Sequence, residues 1–172
     1  MWKLSRESVV SAPGCRAWSR REGGMDTPDL SVIQQPGDAQ VAELRNRLRG
    51  YNISMIGDFA MPSFLVTHRS EQDELLGGVY AFVRYQWLVI DLVWVAEAHR
   101  GRGLGGLLLQ KAEEIGLSQG ITRFRLDTAS FQKGLALYQK HGYKIYADLP
   151  CANIIDGRVV EFTDYFLKKD LE

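Results

Sequence analysis

Apolar residues recur along the chain with two different periods, and these periods separate predicted helices from predicted strands. Spacing typical of an amphipathic helix follows an Asp38 N-cap and ends at Gly50; it recurs over Leu104–Gln119 and Phe131–His141. Alternating or continuously apolar runs typical of strands occur at Leu30–Gln34, Ser63–Thr67, Leu75–Arg84, Gln86–Val95, Ile121–Asp127, Tyr143–Leu149 and Val159–Lys168. The connections Tyr51–Pro62 and Pro150–Arg158 are predicted to be irregular.

The order of these elements is strand, helix, three strands, helix, strand, helix and two strands. Helices between strands predict an α/β fold built on a mixed sheet. The Gln86–Val95 strand is apolar along most of its length, which is typical of a strand buried on both faces.

Composition and charge argue against several classes of partner and site. The 172 residues are 45% hydrophobic and 24% charged, with a formal net charge of zero, so nothing favours a nucleic acid or an anionic membrane as partner. Asp91 interrupts the longest apolar run, which excludes a membrane span there. Cys15 and Cys151 lie far apart without a CxxC pair, which predicts a reducing, cytoplasmic location and no structural metal site.

The first 24 residues differ from the rest in charge. They hold five basic residues against two acidic ones and show no amphipathic pattern. They also have no apolar stretch of signal-peptide length. We therefore expect residues 1–24 to be a disordered N-terminal extension and residues 25–172 to form the folded domain, with Met25 as its first residue.

A glycine-rich segment after the buried strand is the main candidate for chemistry. It runs from Val93 through Arg100 to Gly106, where glycines let a backbone approach a ligand closely. Free amides at the following helix N-terminus would make an anion site suited to a pyrophosphate. The spacing Gly101-x-Gly103-x-x-Gly106 also matches a dinucleotide fingerprint, with Asp127 as the ribose-binding acid. Against that interpretation, five residues separate Val95 from Gly101, and only 45 residues follow Asp127.

A second pattern overlaps the first: Arg100-x-x-Gly103-x-Gly105, followed downstream by the segment Leu137–Tyr143. With these motifs the chain resembles the GNAT superfamily of N-acetyltransferases over about Leu30 to Lys169. Leu126–Gln132 and Tyr165–Lys168 are similar to one bacterial subgroup. The resemblance implies a mostly antiparallel mixed sheet of six or seven strands flanked by helices. It also implies a splay between the strands at 86–95 and 121–127.

The resemblance implies a role for each matching residue. The strand segment Val93, Trp94 and Val95 would pair with the pantetheine arm of acetyl-coenzyme A. Tyr138 would donate a proton to the departing thiolate, and Asp91 occupies a position where some members place a general base. The pyrophosphate would be bound by Arg100, Gly101, Arg102, Gly103, Leu104, Gly105 and Gly106. Two departures are Phe131, where members often have asparagine, and the segment Cys151–Val160.

These residue types suit acetyl transfer to an amine. Neutralising an alkylammonium at pH 7 costs about 4.6 kcal/mol for a pKa of about 10.4, so a nearby carboxylate assists. The alternative for Asp91, a carboxylate in an apolar strand, is a structural hydrogen bond to a neighbouring strand or tyrosine, and the alternative for Tyr138 is a place in the core. We expect an N-acetyltransferase that uses acetyl-coenzyme A, without a metal, by direct attack in a ternary complex. The alternative is an inactive coenzyme A-binding or regulatory domain.

The acceptor is expected to be a primary amine of a small molecule. Acidic residues in the two irregular segments favour a cationic one: Asp58, Asp148, Asp156, Glu161 and Asp164. A second copy of the chain, in a homodimer, is the other partner considered.

Overall fold

The structure, a computed structural model, describes residues 30–171. The predicted extension at residues 1–24 and its boundary at Met25 lie outside the described residues.

Three helices and six strands make up the described chain. The helices are α1 (Asp38–Ile56), α2 (Leu104–Ser118) and α3 (Leu135–Lys140), with a 3₁₀ turn at Glu97–His99. The strands are β1 (Ser63–Arg69), β2 (Leu75–Arg84), β3 (Trp87–Val95), β4 (Arg123–Ala129), β5 (Lys144–Ile155) and β6 (Arg158–Asp170). They form one sheet in the order β1-β2-β3-β4-β6-β5. The β3–β4 pair is parallel and the other four pairs are antiparallel, as the sequence predicted.

The core lies between α2 and one face of the sheet. The buried apolar side chains of α2 belong to Leu108, Leu109 and Ala112, and they join those of Val79 in β2 and Phe124 in β4 in one cluster. Apolar residues recur in α2 with a helical period because only one stripe of the helix packs against the sheet. The opposite face of the sheet carries charged and aromatic side chains, among them those of Arg84, Trp87 and Arg125.

Two sequence predictions near the start of the described chain are wrong. Leu30–Gln34 forms no strand, and no described strand pairs with it. α1 does not end at Gly50 but continues to Ile56, where Gly57 adopts a left-handed φ of 81° and donates to the Ile53 carbonyl. Since glycine lowers helix stability by only about 1 kcal/mol, Gly50 alone does not end a helix.

The predicted irregular connection at Pro150–Arg158 is instead the tip of a hairpin. β5 and β6 pair up to Ile155 and Arg158, leaving a two-residue turn of Asp156 and Gly157. Both turn residues have positive φ, 51° and 76°, as a tight hairpin turn requires. Pro150 is tolerated because β5 is an edge strand.

The contacts divide the chain between Asn46 and Arg47, inside α1, into two units. The second unit holds all six strands and every residue of the site described below. No helix among residues 30–171 combines the length and apolar character needed to span a membrane.

Candidate functional site

β3 and β4 separate from each other after a short paired segment. Only Leu88 with Phe124 and Val89 with Arg125 are in register, so the strands diverge towards their carboxyl ends. On the other side β3 stays paired with β2, and the Ala96 amide donates to the Leu76 carbonyl. Because backbone groups alternate along a strand, the amides of Val93 and Val95 point away from β2, into the splay. The splay therefore offers an unpaired strand edge.

Asp91 lies at a bulge in β3. Tyr80 pairs with Leu92 and Ala81 with Ile90, so Asp91 is the extra residue. The extra residue shifts the alternation of side chains along β3 by one position. As a result Val93 and Val95 pack against the core, whereas Trp94 is 47% exposed. The expectation that Asp91 is a buried carboxylate is wrong. The bulge leaves its side chain exposed, without a hydrogen bond to any described residue.

The glycine loop, residues 100–106, has the geometry of an anion site. Gly101 and Gly103 have left-handed φ values of 73° and 88°, and a Cβ at either position would meet no atom within 4 Å. The amides of residues 103–106 donate to no other described residue, since the first bond of α2 is made by Leu107 to the Gly103 carbonyl. Free amides, open space and the positive helix end favour a phosphate ligand here.

Gly105 and Gly106 have a different role from the two loop glycines. A Cβ on Gly105 would lie 3.2 Å from Leu137, and one on Gly106 would lie 2.9 Å from Nε2 of His141. These glycines let α2 pack closely against α3. The sequence pattern assigned all four glycines to the ligand, whereas the structure separates them into a pair that borders open space and a pair that packs against other side chains.

Tyr138 is held by close packing. It is 7% exposed, its ring lies edge-on to that of Tyr143 at 6.2 Å, and a Cβ on Gly134 would come within 2.7 Å of it. Its hydroxyl donates to no described residue. Burial, and then the charge of Asp127, raise the pKa of Tyr138 above its ordinary value of 10.0. The hydroxyl therefore remains protonated at neutral pH and is available as a donor.

Asp127 lies two residues after Arg125, the last residue of β4 that pairs with β3, and thus where the two strands diverge. Burial first, and then the carboxylates of Asp164 and Asp91, raise the pKa of Asp127 above its ordinary 3.8, whereas Arg125 lowers it. Carboxylates from β3 and β6 are therefore close enough to Asp127 of β4 for their charges to act on it. Among the described residues, no three acidic, His or Cys side chains are close enough together to hold a metal ion.

The turn after β4 is fixed by the segment that resembles the bacterial subgroup. Gln132 Oε1 accepts from the Thr128 hydroxyl at 2.9 Å and from the Ala129 amide at 3.2 Å. Ser130 exchanges hydrogen bonds with Thr163 of β6. A pocket of about 520 Å³ lies beside this turn and is lined by Ser130, Pro150, Cys151, Ala152, Glu161, Phe162 and Thr163.

The structure brings together only part of what the sequence suggested. Of the five acidic residues expected near the acceptor, Asp164 lies at the splay. Asp58 instead pairs with Arg49 at 3.2 Å, and Asp156 lies in the hairpin turn. Asp127, considered in the sequence only as a ribose-binding acid, belongs to the site. Its position opposite Asp91 depends on strand register, which alternation alone does not reveal.

Comparisons with known proteins agree with this geometry. Residues 34–143 match the profile of the acetyltransferase (GNAT) family. The chain is 38% identical over 81 residues to blasticidin-S acetyltransferase of Streptomyces morookaense, a match that covers 46% of this chain and 59% of that protein. It is 28% identical over 113 residues to acetyltransferase Atu2258 of Agrobacterium fabrum, covering 65% and 82%.

A solved structure of an acetyltransferase from Bacillus cereus is 27% identical, with a TM-score of 0.67. The similarity covers 82% of this chain and 98% of that one.

Proposed function

The chain belongs to the acetyltransferase (GNAT) family, and we propose that it transfers an acetyl group from acetyl-coenzyme A to a primary amine of a small molecule. The single observation that carries this proposal is the splay between β3 and β4. The unpaired edge of β3 leads into a loop whose helix amides are free, and protonated Tyr138 is close enough to Asp127 for that charge to act on it.

The splay and the glycine loop support binding of the donor. The Val93 and Val95 amides at the open edge of β3 would pair with the pantetheine arm, as an added strand does. The amides of residues 103–106 would bind the pyrophosphate, with Arg102 adding charge. Arg100 has a supporting role, because its Nε donates to the Val95 carbonyl at 2.9 Å and fixes the loop to the end of β3.

The carboxylates at the splay support attack by the amine. Asp91 and Asp127 would attract an ammonium and take its proton, directly or through water, before nitrogen attacks the thioester carbonyl. A β3 amide would stabilise the oxyanion that forms. Tyr138 would donate to the sulfur as the carbon–sulfur bond breaks, yielding the amide and free coenzyme A.

Steady-state kinetics with Tyr138→Phe test this mechanism. Initial rates measured against both substrates should give intersecting double-reciprocal plots, as a ternary complex requires. Tyr138→Phe should lower kcat by about a hundredfold, the typical contribution of a positioned general acid. Tyr143→Phe is the matched control, since that buried hydroxyl faces the Glu113 carboxylate of α2 and is not proposed to donate to the sulfur. Parallel plots, or an unchanged kcat in Tyr138→Phe, would contradict the mechanism.

A further inference from the structure

A second pocket lies on the face of the sheet opposite α2. It has a volume of about 550 Å³ and is lined by Arg84, Tyr85, Trp87, Arg125, Tyr146 and Lys168. We call these six residues the basic pocket. Three are cationic and three are aromatic, and the motifs of the glycine loop and Tyr138 account for none of them.

Strand register places these side chains on one face. Arg84 is directly opposite Trp87 in the β2–β3 pair, and Arg125 is directly opposite Lys168 in the β4–β6 pair. Arg125 is also opposite Val89, two residues after Trp87. Directly opposite residues share a face, so the cations of three strands, β2, β4 and β6, converge although they are distant in sequence.

Carboxylates compensate the charge of the pocket only in part, since Arg125 acts on the charge of Asp127 without forming an ion pair with it. Lys168 pairs with Asp170 at 3.0 Å, but no described carboxylate forms an ion pair with Arg84 or Arg125. Tyr85 lies under the Arg84 guanidinium at 5.3 Å, and Arg123 lies 6.0 Å from the Trp87 ring. Two unpaired guanidinium groups beside aromatic rings suit a planar group that carries anionic oxygens, because arginine binds carboxylate and phosphate bidentately.

The basic pocket adjoins the carboxylates of the splay. Asp127 follows Arg125 by two residues on the same face of β4, a rise of about 7 Å. Asp164, diagonal to Asp127 in the β4–β6 register, continues the acidic side. One face of the sheet thus changes from basic to acidic over about the length of a small molecule.

We propose that the basic pocket binds an aromatic group bearing a carboxylate or phosphate, and that the acceptor presents this group there while its amine lies at Asp91 and Asp127. The part about the acceptor rests on the proposed acetyl transfer; the binding of the anionic aromatic group does not. The carboxylates alone would select any cationic amine, whereas the pocket adds a requirement for an acidic group at the far end.

Calorimetric titration tests the pocket without any reaction. Benzoate and phenyl phosphate are the probes, and comparing them distinguishes a carboxylate from a phosphate ligand. At least one should bind with a millimolar or tighter Kd, and Arg84→Gln/Arg125→Gln should weaken that binding at least tenfold. Arg69→Gln, which removes an exposed cation elsewhere, is the control. Undetectable binding of both probes, or equal affinity in the double variant, would overturn the proposal.

Acetyl transfer to two matched amines tests the link to the acceptor. 4-(Aminomethyl)benzoate should exceed 4-(aminomethyl)benzamide in kcat/KM at least tenfold. The double variant should lose this preference, and measurable acetylation of the benzamide by it shows that it folds and reacts. Equal rates in the wild type would overturn the acceptor part of the proposal. If the probes bind at the arginines but neither amine is acetylated, the result would contradict the proposed function and still support the pocket as a binding site.

Discussion

At the scale of single residues, the glycine loop shows which structural features a short sequence motif predicts and which it does not. The pattern from Arg100 to Gly106 predicted a ligand-binding turn at the start of a helix, and α2 does begin at Leu104. The pattern did not reveal that Gly105 and Gly106 face α3. That contact depends on residues more than 30 positions later, which no local spacing encodes.

Replacing Gly103 by valine should weaken coenzyme A binding at least tenfold. A side chain there would enter the open space before the free amides, and its left-handed φ would cost about 1–2 kcal/mol of stability. Gly120→Val is the matched control, because Gly120 has a similar φ of 77° and open space at the other end of α2. Calorimetric titration should show loss of affinity in Gly103→Val alone, with both variants losing similar stability. Equal affinities would contradict a ligand-facing Gly103.

Asp127→Asn should stabilise the protein at neutral pH. The pKa of Asp127 is raised in the folded state, so its favourable contribution to folding is present below its ordinary value of 3.8 and is lost as pH rises through the folded pKa. Removing the charge should raise Tm by about 1–2 °C at pH 7, typical of an exposed charge. The gain should vanish near pH 3. Thermal melts at the two pH values measure it, and a lower Tm at pH 7 would argue against this charge environment.

At the scale of elements, the sequence predicts the strands and α2 better than their connections. Burial of one stripe or one face produces a regular apolar pattern, and β2, β3 and α2 follow it closely. The hairpin tip was missed because Leu149, Ile154 and Val159 are exposed, so no buried face marks β5 and β6 as continuous. The Asp156-Gly157 pair was the available signal, since this dipeptide favours a two-residue turn.

A buried ion pair joins α2 to β6. Nζ of Lys169 lies 2.7 Å from Oε2 of Glu113, and both side chains are largely buried. Breaking such a pair leaves an uncompensated charge, which typically costs about 3–5 kcal/mol. Lys169→Met should therefore lower Tm by roughly 10 °C, and Lys168→Met, which breaks an exposed pair, should lower it little.

Thermal unfolding of the double variant Glu113→Leu/Lys169→Met completes this test. Without a buried unpaired carboxylate, most of the lost stability should return. A double variant as unstable as Lys169→Met would show that the loss arises from packing around Phe124 and Tyr143, whose rings lie near the lysine.

At the scale of the whole molecule, the division between residues 1–24 and the domain remains a prediction. A chain that begins at Met25 should melt within about 1 °C of the full chain and acetylate amines at the same rate, because the removed segment has no amphipathic pattern. Differential scanning calorimetry and kcat/KM measure both. A Tm lower by several degrees would show that the segment contributes to the fold.

Some features of the candidate site could be predicted from the sequence and others could not. The donor side follows from local motifs, whereas the acceptor side depends on strand register, the bulge at Asp91 and the convergence of Asp127 and Asp164. These features arise from pairing between distant segments, so the sequence predicts a complete donor side and only part of the acceptor side.

The most direct test of acetyl transfer is to incubate the full chain with acetyl-coenzyme A and a panel of small amines. Thiol release and the mass of the amine product are followed together. Acetyl transfer predicts that thiol appears in a one-to-one ratio with an N-acetylated amine, and that Tyr138→Phe slows both equally. Binding of coenzyme A without an acetylated product from any amine would contradict it and favour the inactive coenzyme A-binding domain.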